Sequence, residues 1–192
     1  AFAVPLVSRI DLDSPDPQVL VLTPTRELAL QVAEAFHSYG RQLPGFQVLP
    51  LYGGQSFGVQ IRQLQRGAHV IVGTPGRVMD HMRQGYLNLE GIRTLVLDEA
   101  DEMLNMGFID EVKEILDKTN PDRHTLLFSA TMPDGMRREM AANEQYVLAA
   151  AHIPLQAGAS DDLTARVWDT SSGQELFRYS GHSKGNGHAG CC

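Results

Sequence analysis

The chain has 192 residues, of which 43% are hydrophobic, and its formal net charge at pH 7 is -7. This length is enough for a domain with a buried core, and the composition excludes a disordered or fibrous chain. No apolar run approaches the ~18–20 residues that span a bilayer, and the first residues lack the features of a signal peptide. Because non-specific nucleic-acid binders are usually basic, any nucleic-acid contact must be local, through backbone N–H groups and a few arginines.

Apolar stretches of strand length alternate with amphipathic stretches of helix length. Strands are predicted at 18–23, 46–52, 69–73, 92–98 and 123–129, and helices at 1–10, 25–40, 56–66, 100–105, 108–118, from Pro75 and from Pro133 to about 142. In the helix after Thr25, the predicted buried side carries Leu28, Leu30, Val32, Ala33 and Phe36. The alternation predicts βαβ units with right-handed crossovers. The expected fold class is therefore α/β, with a parallel sheet flanked by helices.

The stretch from Leu95 to Asp101 ends an apolar run in Asp98 and Glu99, and Asp101 follows two residues later. The run is typical of a buried parallel strand, whose carboxyl end is where ligands bind in open α/β sheets. A carboxylate there can hold Mg²⁺, directly or through water, beside a nucleotide phosphate. A second carboxylate can orient or deprotonate a water. The alternative is an acidic helix start stabilised by the helix dipole.

Three further motifs follow other predicted strands and suit a phosphate-bearing ligand. Helix starts offer free N–H groups to a phosphate, arginines add a charged fork, and a glycine pair lets a ligand approach the backbone closely. The candidate binding residues are Pro24, Thr25, Arg26, Gly53, Gly54, Thr74, Pro75, Gly76 and Arg77. Helix caps and a tight turn are the alternatives. A last motif, Ser129-Ala130-Thr131, places two hydroxyls at a strand end, where they either bond a carboxylate or cap the next helix.

In this order, the five motifs resemble the first RecA-like domain of DEAD-box RNA helicases, most closely the bacterial cold-shock type, from residue 1 to about 138. The resemblance implies a P-loop NTPase fold that uses ATP and Mg²⁺ to unwind short RNA duplexes. It implies that Asp98 helps hold Mg²⁺ through water, that Glu99 orients the hydrolytic water, and that Asp101 pairs with the segment carrying Ser129 and Thr131. The nine candidate binding residues would line the path of the RNA backbone, single-stranded or in a short duplex, and such contacts carry no base information.

One departure from the family pattern concerns the phosphate loop, G-x-x-x-x-G-K-[ST], which precedes the first helix in the family. The sequence contains no Gly-Lys pair. We therefore expect an incomplete domain, lost or very weak ATP affinity, and poor solubility or dependence on a partner segment. A non-catalytic RNA- or protein-binding module is the alternative function. A DNA translocase, which shares the RecA-like core, is a third interpretation.

Beyond about residue 138 the resemblance fades. We interpret 1–150 as the helicase-like domain, 151–160 as a linker and 161–192 as an irregular or β-like tail. In the tail, Trp168-Asp169 and the later Gly181-His182 resemble part of a WD repeat, which would not fold alone and could dock a protein partner. A random polar tail is the alternative. We expect a cytoplasmic monomer, since both cysteines lie at the end of the sequence and the core holds no disulfide framework.

Other patterns in the sequence give no site. The G-x-G-x-x-G match from Gly185 to Gly190 lacks the strand and helix that a dinucleotide site needs. The spacing of the terminal histidines and cysteines does not fit a standard zinc site. The remaining histidines, including His37, His69 and His124, are expected at the surface or at strand ends.

Overall fold

The computed structural model describes residues 2–130 and three further strands. The helices are α1 (Ala3–Val7), α2 (Arg26–Tyr39), α3 (Phe57–Leu64), α4 (Pro75–Arg83), α5 (Ala100–Asn105) and α6 (Ile109–Lys118). The strands are β1 (Val19–Leu22), β2 (Val48–Leu51), β3 (Val70–Gly73), β4 (Thr94–Leu97), β5 (His124–Phe128), β6 (Tyr146–Ala150), β7 (Ala165–Trp168) and β8 (Glu175–Tyr179). The predicted alternation of strands and helices, and with it the α/β class, is confirmed. The helix predicted from Pro133 lies outside the described residues.

The described strands form one sheet in the order β2-β3-β1-β4-β5-β6-β7-β8. Strands β1 to β6 pair in parallel, whereas β7 and β8 run antiparallel to their neighbours. The register places Val19 of β1 between Val70 of β3 and Thr94 of β4. Because the strands are parallel and in register, the carboxyl ends of β1 to β5 lie along a single edge of the sheet.

Alternate residues of β1 belong to two separate hydrophobic clusters, one on each face of the sheet. Val19 and Val21 pack with α1 and α2, including Phe36. Leu20 and Leu22 face the opposite cluster, which α4, α5 and α6 cover. All four β1 residues are at most 3% exposed. Burial on both faces explains why this strand is a continuous apolar run rather than an alternating one.

One prediction about burial is wrong. Leu30 is 37% exposed, because the face of α2 that packs on the sheet is formed by Ala29, Ala33 and Phe36. These residues recur at the helical period, and Leu30 projects beside that face. His69 lies at a strand end, directly before β3, which is one of the two expected places; it is buried there, and its Nδ1 accepts a hydrogen bond from the Gln47 amide at 3.0 Å. His37 and His124 are exposed, as expected.

A sixth parallel strand, β6, pairs with β5. The hairpin of β7 and β8 continues the sheet from β6. Within the described residues, every helix is too short or too polar to cross a bilayer.

Candidate functional site

The candidate site lies along the edge where β1 to β5 end. The polar segment that follows each of these strands was singled out from the sequence, and the parallel sheet brings the segments to this common edge. Thr131 is outside the described residues, so the structure places the Ser129 motif only in part.

The segment after β1 starts helix α2. Thr25 has extended backbone angles, and its hydroxyl oxygen accepts a hydrogen bond from the Leu28 amide at 3.2 Å, so it is an N-cap. The Arg26 guanidinium lies 5.0 Å from the centre of the Tyr52 ring, which follows β2. No described residue accepts a hydrogen bond from that guanidinium. The first motif therefore contacts the residue that directly precedes the second. Pro24, two residues after the end of β1, is buried.

The two glycines after β2 differ in what they require. Gly54 has φ of +86°, a conformation that favours glycine, and a Cβ there would lie 3.5 Å from Nη1 of Arg26. At Gly53, a Cβ would meet no described atom within 4 Å. The turn therefore explains Gly54, whereas nothing in the described fold requires glycine at Gly53.

The segment after β3 starts helix α4 with Pro75 at its first turn, as predicted from its fixed φ. Thr74 is the N-cap by position, but its side chain makes no capping hydrogen bond. A Cβ at Gly76 would meet no described atom within 4 Å. The Arg77 guanidinium lies over the Phe57 ring, and its Nη1 donates to the Gln55 carbonyl at 3.4 Å.

A buried polar cluster under this helix start was missed in the sequence. Gln60 and His81 are both fully buried, and His81 Nε2 lies 2.8 Å from Gln60 Oε1. Arg77 Nη1 donates to the same oxygen at 3.3 Å. Burial, and next the nearby Arg77 charge, lower the pKa of His81 to about 4. A signal was available, because Gln60 lies between Phe57 and Leu64 at helical spacing, on the apolar face of α3.

The acidic segment after β4 is fixed by its backbone. Asp98 and Asp101 are 9% and 6% exposed, and the Asp98 amide donates to the Leu22 carbonyl of β1 at 2.9 Å. Glu99 has φ of 52° and ψ of 51°, which makes it the one non-glycine residue with positive φ in the described part of the chain. The Asp101 amide donates to the Ser129 hydroxyl oxygen at 3.2 Å. This bond joins the end of β4 to the end of β5, and the pairing of the Asp101 carboxylate with the hydroxyls of this segment stays a prediction.

The acidic segment suits one particular kind of metal ion. No cluster of three or more potential metal-ligating side chains occurs among the described residues. Mg²⁺ usually binds through one or two carboxylates and completes its octahedron with water and phosphate oxygens. The donor set of Asp98 and its neighbours therefore fits Mg²⁺ that arrives with a nucleotide, and does not fit an ion held by protein ligands alone.

A cavity of about 370 Å³ lies away from these motifs, at the amino ends of β1, β4 and β5. Its lining includes Gln18, Arg93 and His124. Since the motifs lie at the opposite ends of the same strands, this cavity is not part of the candidate site.

Comparison with known proteins matches residues 1–138 to the sequence model of the DEAD/DEAH box helicase family. An ATP-dependent RNA helicase DeaD of Mycobacterium tuberculosis is 57% identical over 138 residues, which are 72% of this chain and 24% of the relative. A DEAD-box ATP-dependent RNA helicase CshA of Geobacillus kaustophilus is 53% identical over 138 residues, 72% of this chain and 29% of the relative. The chain thus spans about a quarter of the length of these curated relatives.

A solved structure of a DEAD box protein from Methanococcus jannaschii superposes with a TM-score of 0.72 at 42% identity, and covers 77% of this chain and 40% of that protein. A hypothetical ATP-dependent RNA helicase from Sulfolobus tokodaii gives a TM-score of 0.68 at 35% identity, over 79% of this chain and 43% of that protein. The order of the motifs, the parallel sheet and these matches agree: the chain belongs to the DEAD-box helicase family, and its described core is the N-terminal RecA-like domain.

Proposed function

We propose that this chain is the RNA-binding and acid-bearing part of an ATP-dependent RNA helicase. In this function the domain binds the RNA backbone and contributes to ATP hydrolysis that unwinds short duplexes. The first support is the family membership. The second is the geometry: the segments after β1, β2 and β3 lie together along the candidate edge, and the acidic segment, bonded to Ser129, lies beside them.

The observation that carries the RNA-binding proposal is the open space at two glycines. Neither Gly53 nor Gly76 has positive φ, and a Cβ at either position would meet no protein atom within 4 Å. Glycine within a helix costs ~0.5–1 kcal/mol relative to alanine. The fold therefore loses stability at Gly76 without an internal reason. A ligand backbone that must approach the start of α4 closely supplies one.

The charges around these glycines suit a phosphate chain. Arg26 and Arg77 flank the glycine pair, each with its guanidinium over an aromatic ring. The free N–H groups at the starts of α2 and α4 add donors that favour anions. With such contacts RNA would be held by its backbone, single-stranded or in a short duplex, without regard to base sequence.

In the acidic segment, we propose that Asp98 holds Mg²⁺ through water and that Glu99 orients the attacking water. Mg²⁺, when bound, would neutralise charge on the phosphate oxygens of ATP. The left-handed backbone at Glu99 turns the chain just after β4, at the point where the two consecutive carboxylates stand. The hydrogen bond from the Asp101 amide to Ser129 would transmit changes at this end to the segment after β5.

RNA binding is tested with alanine substitutions at two matched glycines. Gly76 and Gly58 occupy the same position in the first turns of α4 and α3, and a Cβ at either would meet no described atom within 4 Å. We expect both Gly76→Ala and Gly58→Ala to raise the free energy of unfolding by ~0.5–1 kcal/mol. Only Gly76→Ala should weaken binding of a fluorescein-labelled single-stranded RNA, by about fivefold, the equivalent of one lost hydrogen bond. Equal RNA affinity of the two variants in fluorescence anisotropy would contradict the proposal.

The second candidate is an RNA-binding module without ATPase activity, and the 192 residues given include no Gly-Lys pair of a phosphate loop. We expect the 192-residue chain to bind RNA equally with and without Mg-ATP. Calorimetry that detects micromolar Mg-ATP binding would exclude the module. In a protein extended to include a phosphate loop and a second RecA-like domain, Glu99→Gln should abolish ATP turnover and preserve nucleotide binding. Unchanged turnover would refute the proposed role of Glu99.

For the tail, we propose that residues 161–192 derive from a WD repeat and contact a protein partner. Antiparallel pairing of β7 with β8 supports this origin, since propeller blades are built from antiparallel strands. The division into 1–150, 151–160 and 161–192, the monomeric state and the cytoplasmic location stay predictions. Removal of residues 161–192 tests one consequence of this proposal. If the tail contacts a protein partner and not RNA, its removal should leave the RNA affinity of the chain unchanged.

A further inference from the structure

We propose that Gln60 is a positioning residue for RNA binding, which fixes Arg77 and the Gly53-Gly54 loop in one arrangement. In that arrangement the outer edge of the Arg77 guanidinium, formed by Nε and Nη2, is presented to an RNA phosphate. The inference rests on the proposed function and adds a residue that would not itself touch the RNA.

All hydrogen-bonding positions of the Gln60 amide have partners. Nε2 donates to the Tyr52 carbonyl at 3.0 Å and to Gln55 Oε1 at 2.9 Å. Oε1 accepts from Arg77 Nη1 at 3.3 Å and is 2.8 Å from His81 Nε2. Because arginine has only donors, the amide cannot be flipped without breaking its bond to Arg77. This single buried side chain therefore joins the end of β2, α3 and α4.

His81 fixes the Gln60 amide through a hydrogen bond. Since Gln60 Oε1 is an acceptor, His81 Nε2 must donate, and the neutral ring then carries its proton on that nitrogen. The ring stacks on Phe57, with centroids 4.1 Å apart and planes 3° apart. Phe57 in turn lies under the Arg77 guanidinium. The Arg77 guanidinium is therefore restricted at one edge by Gln60 and on one face by Phe57. His81 contacts both of these residues.

Arg77 uses only part of its donor set within the protein. Its Nη1 bonds Gln55 and Gln60, and no described residue accepts from Nε or Nη2. Another arginine of the same helix shows what this edge binds: Nε and Nη2 of Arg83 donate to the two carboxylate oxygens of Glu114. A phosphate presents two oxygens in the same way. Anchoring Nη1 orders the side chain in advance and lowers the entropy cost of that contact.

The Gln60 amide is also linked to Arg26, through Tyr52. The Tyr52 carbonyl that accepts from Gln60 belongs to the residue whose ring lies under Arg26, and Gly53 follows it in the chain. Loss of the Gln60 donor would release this residue and the glycine pair. The inferred effect on RNA therefore includes the loop as well as Arg77.

A double-mutant cycle tests whether Gln60 acts through Arg77. In fluorescence anisotropy with single-stranded RNA, Arg77→Ala should weaken binding about tenfold. The slope of log affinity against log salt should fall by ~0.7, the value of one phosphate contact in a single strand. Gln60→Met should weaken binding severalfold and reduce the slope in the same way. In the Arg77→Ala background, Gln60→Met should weaken binding less than it does in the unchanged protein, and the effect that remains is the part that acts through the glycine loop.

The control for a purely structural role is Gln18→Met. Gln18 is 4% exposed and exchanges two hydrogen bonds with the backbone of Asp11 at the opposite edge of the sheet. We expect its variant to lose stability as Gln60→Met does, with unchanged RNA affinity and salt slope. Additive effects of Gln60→Met and Arg77→Ala, or an unchanged slope in Gln60→Met, would overturn the inference.

Two further outcomes can be told apart: a Gln60→Met variant that does not fold, and an Arg77→Ala variant that binds RNA normally. If Gln60→Met does not fold, Gln60→Glu replaces it: a carboxylate still accepts from Arg77 but cannot donate to the Tyr52 carbonyl, and its charge competes with phosphate for Arg77. That variant should show the same loss of salt slope, and an unchanged slope would overturn the inference. If Arg77→Ala itself leaves RNA binding unchanged, the RNA path proposed above fails, and the inference fails with it for that separate reason.

Discussion

The two halves of the candidate edge are built by different means. The arginine half, at the ends of β2, β3 and β1, is ordered by side chains that bond one another, with Gln60 at their centre. The acid half, at the ends of β4 and β5, is joined through main-chain amides: the Asp98 amide bonds β1, Glu99 turns the chain and the Asp101 amide donates to the Ser129 hydroxyl oxygen. Substitution of Gln60 should therefore disturb the geometry of the arginine half, whereas substitution of the Glu99 side chain leaves these main-chain hydrogen bonds of the acid half unbroken.

The largest disruption of the arginine half is expected from Gly73→Ala at the end of β3. A Cβ there would lie 2.6 Å from the Leu51 carbonyl oxygen and 2.7 Å from Val78 Cγ2. Backbone of β2 cannot move away without breaking its pairing with β3, so we expect a loss of ~1–3 kcal/mol in the free energy of unfolding. Urea denaturation measures it. Gly53→Ala, where the space is open, is the control, and equal losses would contradict this reasoning.

The next largest effect is the pH dependence of stability that His81 causes in the arginine half. The pKa of His81 is about 4 in the fold and about 6.5 in an unfolded chain. Between these values the unfolded chain binds more protons, so stability should fall as pH is lowered from 6.5 to 4, by roughly 1–3 kcal/mol in total. Urea midpoints across this range measure it. His81→Gln, which keeps an N–H donor and cannot titrate, should flatten this part of the profile.

In the acid half, Glu99→Gly should stabilise the fold and abolish the proposed role of the carboxylate. A left-handed backbone costs a residue with Cβ ~1–2 kcal/mol, and part of this gain is offset by the greater freedom of glycine in the unfolded chain. We expect a net increase of ~1 kcal/mol in the free energy of unfolding. Glu99→Ala keeps the Cβ and should not gain. Equal stability of the two variants would show that the backbone at this position is not strained.

The smallest effect is expected at the exposed ion pair between Arg83 of α4 and Glu114 of α6. The hydrogen bond from Arg83 lowers the pKa of Glu114, so the pair stabilises the fold above the usual carboxyl range and stops doing so as pH falls through it. Arg83→Ala should lower the thermal midpoint slightly at low salt and not at 1 M salt. Arg62→Ala, at an exposed arginine without a carboxylate partner among the described residues, should lower it at neither.

The parts that could be predicted from sequence are those set by local pattern. Continuous apolar runs identified β1 and β4, and Pro75 and Thr25 identified two helix starts. Gln60 and His81 were missed because the burial of a polar side chain depends on partners from other segments. The tight contact at Gly73 and the left-handed Glu99 were missed for a similar reason: both are imposed by how a strand meets the helix that follows it. The exposure of Leu30 followed from which face of α2 met the sheet.

The position of β1 in the sheet bears on how the protein is made. This strand precedes the other described strands in the chain, yet it pairs with β3 and β4, and β3 begins at Val70. At translation rates of ~5–20 residues per second, its four apolar residues leave the ribosome several seconds before either neighbour exists. During that interval an uncovered Val-Leu-Val-Leu segment offers a template for pairing with other nascent chains. Synthesis of this domain should therefore benefit from chaperones that shield short apolar segments, and slower translation should increase its aggregation.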